Sequence, residues 1–102
     1  MNVIKKISTP DFARGTSLVG YITTTYDEIV NAFGEPNYGP SGDNKVQSEW
    51  VLDVNGEPCT IYDWKVKETP KELYKWHVGG RSATVLIPLA EAFGWKISRF
   101  LI

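Results

Sequence analysis

The stretch "TTYDEIVNAFGEP" sets Tyr26, Ile29, Val30 and Phe33 at i, i+3, i+4 and i+7, the spacing that lines one face of a helix. Thr25 stands at the N-cap with Glu28 three residues later, a capping box in which each side chain satisfies a backbone N–H left open at the helix start. Gly34 follows as a C-terminal cap, and Pro36 prevents continuation. These positions predict a helix from about Tyr26 to Phe33. Upstream, "TSLVGYI" is rich in β-branched and apolar residues and predicts a short strand. Downstream, "EPNYGPSGDNK" concentrates Gly, Pro, Asn, Asp and Ser and predicts a loop of about ten residues.

The period then changes. In "VQSEWVLDVNGEPCTIYDWKV" the pair Asn55-Gly56 separates two strand-like runs, the strongest short hairpin signal a sequence offers. With those residues as the turn, Val54 faces Glu57, Leu52 faces Cys59 and Trp50 faces Ile61, which makes one side apolar. The other side pairs Val51 with Thr60, Glu49 with Tyr62 and Gln47 with Trp64. Pro58 falls opposite Asp53 at a pair that exchanges no ladder bonds, so its missing N–H is harmless there. Because side chains alternate, Ile61 belongs to the core while Tyr62 and Trp64 lie on the opposite side of the sheet. Either the chain covers them or a partner does.

"KVKETPKE" reads as a polar connection, and "LYKWHVGG" as a further strand with Tyr74, Trp76 and Val78 on one face, ended by Gly79-Gly80. Ser82 can cap a second helix running to about Phe93, with Gly94 as its C-terminal cap. Pro88 conflicts with an unbroken helix, so the helix either kinks there or begins near it. "WKISRFLI" is apolar enough for a last strand or a docking tail. The order β-α-β-β-β-α predicts an α+β domain, an antiparallel sheet of about three to five strands with two helices on one face. Ile29, Val30, Phe33, Trp50, Leu52, Ile61 and Leu89 are its expected core.

At 102 residues, with 42% of them apolar, the chain is expected to form a single domain over residues 1–102 with a packed core. Its first residues hold no apolar run of signal-peptide length, and no segment approaches the roughly 20 apolar residues of a membrane span. The expectation is a soluble protein of the cytoplasm with no membrane contact. Charge is uneven: from Tyr26 to Asp63 Lys45 is the single base among many acids, and from Trp64 onward bases dominate. Such asymmetry marks a partner-facing surface unless folding interleaves the two halves.

Candidate chemistry narrows quickly. Cys59 is the one cysteine and His77 the one histidine, so neither a disulfide within the chain nor a multi-histidine metal site is available, and no cofactor is expected. Ser82, Cys59 or Asp63 could be set beside His77, but no nucleophile-elbow pattern surrounds them, and an enzyme is not expected. Gly79-Gly80-Arg81 at a helix start could hold a phosphate or carboxylate on free N–H groups. Aromatic residues are the excess, 13% of the chain. Tyr and Trp dominate protein interfaces, and beside a basic groove they stack on bases. Tyr62, Trp64, Lys65, Trp76 and His77 form the expected partner-binding set, with Gly79, Gly80 and Arg81 as the anion-binding one.

Taken in order, "TSLVGYITTTYDEIVNAFGEP", "SEWVLDVNGEPCTIYDWK" and "YKWHVGG" make the chain resemble a family of small proteins encoded mainly by bacteriophages and prophages, over roughly residues 15 to 94. The resemblance implies no catalytic residues. Small phage accessory proteins often bind and inhibit host machinery, including immune nucleases and their nucleotide signals. It therefore implies an anti-CRISPR-like inhibitor that acts in the host cytoplasm on a host protein or protein complex. The alternative is a module that sequesters a small nucleotide or other anion at Gly79-Gly80-Arg81. Self-association is compatible with both.

Overall fold

The computed structural model describes residues 3–43, 45–92 and 100–101. In chain order its elements are β1 (Ile4–Lys6), a 3-10 turn (Pro10–Ala13), β2 (Ser17–Thr24), α1 (Tyr26–Phe33), β3 (Glu49–Val54), β4 (Glu57–Tyr62), β5 (Tyr74–Gly80), a second 3-10 turn (Ala83–Val85), α2 (Leu86–Ala92) and β6 (Phe100–Leu101). The strands form one antiparallel sheet in the order β1-β3-β4-β5-β2-β6. The fold is thus α+β as expected, with the C-terminal run supplying the last strand, β6, at one edge and β1 added at the other. The short polar "IKK" of β1 carries no periodic signal of its own. It is held at the edge by Asn55, whose side-chain oxygen accepts from Val3 N at 2.7 Å and whose own N–H donates to the Val3 carbonyl at 2.8 Å.

The hairpin forms in the expected register from Val54↔Glu57 to Glu49↔Tyr62, with Asp53 opposite Pro58. Asn55 and Gly56 take φ of 53° and 90°, the positive pair that a type I′ turn demands. Asp53 Oδ1 accepts from Gly56 N at 2.6 Å and closes the turn from the side. The expected pair of Gln47 with Trp64 does not form, because β3 starts at Glu49 and β4 stops at Tyr62. Beyond that point Asp63 N still donates to the Ser48 carbonyl at 3.4 Å, and the Asp63 side chain takes the Gln47 and Ser48 N–H groups in place of further strand pairing.

Helix α1 spans the expected residues. Thr25 Oγ1 accepts from Glu28 N at 3.2 Å, while Glu28 Oε1 accepts from the Thr24 hydroxyl at 2.9 Å. Gly34, at φ 84°, ends the helix and its N–H donates to the Val30 carbonyl. At the second helix Ser82 caps the 3-10 turn, accepting from Thr84 N, and α2 begins only at Leu86. Pro88 therefore sits in the first turn of α2, where its missing N–H has no partner to lose. The expected helix end at Phe93 and cap at Gly94 lie outside the described residues.

Both helices pack on one face of the sheet. Ile29 from α1 and Leu86 and Leu89 from α2 meet Ile22, Trp50, Leu52, Ile61, Trp76 and Val78 from four strands. Val30 and Phe33, expected in the core, pack against it half-buried. Trp50 and Trp76 anchor this layer at 0% exposure, with ring centroids 5.5 Å apart edge to face. Each indole N–H finds a carbonyl, Trp50 at Gly34 (2.8 Å) and Trp76 at Thr24 (3.1 Å), as a buried donor must.

Candidate functional site

The face of the sheet away from the helices is divided in two. Near the hairpin turn, the 3-10 turn Pro10–Ala13 packs on β3 and β4, and below it Val51 and Thr60 are buried. Arg81 ties down the end of this segment by donating from Nη2 to the Arg14 carbonyl at 3.2 Å. The other half of the face carries a row of rings. Tyr21 of β2, His77 of β5 and Tyr62 of β4 stand side by side through the pairs Tyr21↔His77 and Tyr62↔His77. Their centroids are 5.0 Å apart for Tyr21 and His77 and 5.3 Å for His77 and Tyr62.

Trp64 extends the row, with its ring 6.4 Å from both Tyr62 and His77 and 39% of its surface exposed. It reaches this position from a loop. Asp63, at 0% exposure, takes the Gln47 and Ser48 N–H groups on Oδ1 at 2.6 and 3.3 Å. Tyr74 OH accepts from Trp64 N at 3.2 Å, and Lys65 N donates to the Lys45 carbonyl at 2.6 Å, with Lys65 in the left-handed region at φ 57°. Ser48 and Thr69 hydroxyls join the two loops at 2.8 Å. An acid inside and a tyrosine from β5 thus hold the tryptophan outside.

Three ammonium groups border the row. Lys75 Nζ lies 4.3 Å from the Tyr21 ring centroid, and Lys45 and Lys65 Nζ lie 5.9 and 5.8 Å from that of Trp64. Lys45, Gln47, Lys65, Val66 and Lys67 line a shallow groove beside Trp64. Two carboxyls near the row shift upward. Desolvation pushes Glu49 above its ordinary 4.5, and pushes Asp63 above 3.8 against the pull of the Gln47 and Ser48 N–H groups. Burial of Tyr62, together with Glu49 and Tyr21, raises its phenol.

His77 is pushed toward its neutral form. Burial pushes it below its ordinary 6.5, Lys75 adds to that, and Asp63 opposes both. Asp63 Oδ2 and His77 Nδ1 are buried without a hydrogen-bond partner among the described residues. An unfolded chain binds a proton on histidine near its ordinary value, whereas the fold resists until lower pH. His77 therefore contributes stability that is complete above about pH 6.5 and declines as pH falls from there to the depressed folded value. The raised carboxyls of Asp63 and Glu49 act in the opposite sense, favouring the fold as they protonate. Thermal melts from about pH 7.5 to about pH 5.5 should therefore show the parent losing stability relative to His77→Gln. Parallel pH profiles for the two proteins would show that the depressed value is wrong.

Of the expected partner-binding residues, Tyr62, Trp64, Lys65 and His77 are brought together. Trp76 is not: it is on the helix side, in the core, because it shares its parity on β5 with Val78 and points away from His77. The expected anion-binding turn is also different. Gly79 and Gly80 are not a free loop at a helix start but the last residues of β5, paired with Leu18 and Ser17 on one side and Thr60 and Cys59 on the other. Arg81 is engaged with the Arg14 carbonyl. Tyr21, Lys45 and Lys75 join the site although none of them belongs to the binding set expected from the sequence. Alternation with Ile22 would have put Tyr21 on this face, but its pairing with His77 spans more than half the chain.

Cys59 is fully buried on the helix side, its thiol pushed up to about 12 by desolvation, so it does not meet His77. Ser82 is spent as the cap of Thr84. Among the described residues no group of three or more His, Cys, Asp and Glu converges as metal ligands, and no helix is long and apolar enough to cross a membrane. In comparison with known proteins, the chain matches no family model, no curated sequence and no solved structure.

Proposed function

We propose that the protein is a non-catalytic binding protein that works in the cytoplasm of a bacterial host, where it occupies and blocks a host defence or host-takeover complex through the open half of its second sheet face. One observation carries this reading: Tyr21, His77, Tyr62 and Trp64 form a continuous row of rings on the part of this face that, among the described residues, lies outside the main packing of the N-terminal 3-10 turn on β3 and β4. A row of that kind buries large area on contact at little cost in side-chain entropy. The buried Asp63 and the Tyr74 hydroxyl bond fix its outermost member in advance, which lowers the ordering cost of binding. The resemblance to phage-encoded accessory proteins supports the choice of a host target.

Tagged protein recovered from a bacterial host tests the reading. The parent should retain a stoichiometric partner, and Trp64→Ala should lose about tenfold in affinity for it while melting within a few degrees of the parent. Ile87→Ala, a change at an exposed apolar residue on α2, should keep the partner. Retention of the partner by Trp64→Ala at parental occupancy would exclude this face.

A further inference from the structure

We propose that the open face takes single-stranded nucleic acid, its bases laid on the row of rings and its phosphates held by the lysines at the two ends. This rests on the reading of that face as the binding surface and names the chemistry of what it binds.

Two observations meet here. The first is the row itself, four rings from three strands and a loop in successive steps of 5.0, 5.3 and 6.4 Å. Successive rings are inclined by 67°, 31° and 80°, so bases stack on single ring faces along the row, and such stacking tolerates any sequence because every base presents a π face. The second is where the cations stand. Lys75 is beside Tyr21 at one end, and Lys45 and Lys65 are beside Trp64 at the other. Positive charge at both ends of an apolar row suits a ligand with anionic groups repeated along its length. A mononucleotide brings its phosphate to one end only.

The charge balance of the whole chain, near zero, hides this local excess. Asp63 is buried, and Glu49 is half-buried with its carboxyl pushed up by desolvation. Asp43 lies in the same loop as Lys45, and the Ser41 hydroxyl at 2.6 Å and Lys45 N at 3.1 Å hold its carboxyl below the ordinary value, so its charge offsets part of that of Lys45. Glu68 and Glu72 are the remaining acids of the loop that carries Lys65, set against Lys67 and Lys71 beside it. An acidic peptide would satisfy the lysines and leave the rings without stacking partners. A second copy of the chain, related by a two-fold axis through the row, would set this cluster of lysines against its own likeness.

The test uses the full chain and a fluorescein-labelled thymidine oligonucleotide of about 15 nucleotides, the upper range of a single binding surface. Binding should be seen by anisotropy at low salt, with quenching of tryptophan emission. It should weaken with salt at a log–log slope of about −2, as three lysine–phosphate contacts would give on a single strand. Lys75→Gln and Lys65→Gln should each make that slope shallower by about 0.7. Trp64→Ala and Tyr62→Ala should each weaken binding about tenfold with little change in slope. No anisotropy change up to about 100 μM protein, equal affinity for duplex of the same length, or equal affinity for thymidine monophosphate would overturn the proposal. If Trp64→Ala loses the host partner while the oligonucleotide never binds, the face stands as the binding surface and nucleic acid is excluded as its ligand.

Discussion

Replacing Trp76 by alanine is expected to cost about 3–5 kcal/mol, the range for truncating a large aromatic in a packed core. In a domain of ordinary stability, about 5–15 kcal/mol in total, that is enough to lower the melting temperature by more than about 10 °C. The indole is at 0% exposure, packs edge to face on Trp50 and Tyr74 with centroids 5.5 and 5.1 Å away, and supplies the donor for the Thr24 carbonyl. Truncation removes the packing and leaves that buried carbonyl without its indole donor. Trp76→Phe keeps most of the ring contact and loses the hydrogen bond, so it should fall between the parent and Trp76→Ala. Trp64→Ala, by contrast, should scarcely move the melt. Circular dichroism melts of the three variants give the ranking directly. A Trp76→Ala protein melting within a few degrees of the parent would place Trp76 outside the core and return it to the binding face.

Those two tryptophans show what could be read from the sequence and what could not. Strand alternation around Asn55-Gly56 fixes a register that the structure reproduces pair by pair down to Glu49↔Tyr62, because turn chemistry and period two are both local signals. The same alternation puts Trp76 with Tyr74 and Val78, on the side away from His77. Grouping Trp76 with His77 as one surface treated neighbours in sequence as neighbours in space, which a strand forbids. Tyr21 was out of reach for a different reason. It meets His77 only because β2 crosses to lie beside β5, and no feature within either strand encodes that non-local pairing. Trp64 reached the expected side by an unexpected route, through a loop braced on buried Asp63. The acid between the aromatics of "TIYDWK" is thus a structural clamp that holds a ring outward.

Gly79 offers the sharpest link between the fold and the candidate site. The sequence pattern puts this glycine where the strand ends and a helix starts, yet the residue is within β5 and has no positive φ, so backbone freedom does not require glycine there. Space does. A Cβ built at Gly79 would collide with Thr60 Oγ1 and come within 3.6 Å of the Ser17 carbonyl oxygen and of Tyr62 Cε1. Thr60 is a short β-branched side chain, 3% exposed beneath the N-terminal segment, and stiff at χ1, so it cannot swing clear cheaply. Gly79→Ala should therefore cost about 3 kcal/mol, the upper end for a methylene forced into a packed site, although alanine is no worse than glycine for the backbone of a strand. On a domain of this size that shifts the melt by more than about 10 °C. Removing the obstacle should restore it: Thr60→Ala with Gly79→Ala is expected to melt close to Thr60→Ala alone, the non-additivity that marks two residues in direct contact. Additive melting shifts in the three proteins would show that some other contact makes glycine necessary at this position.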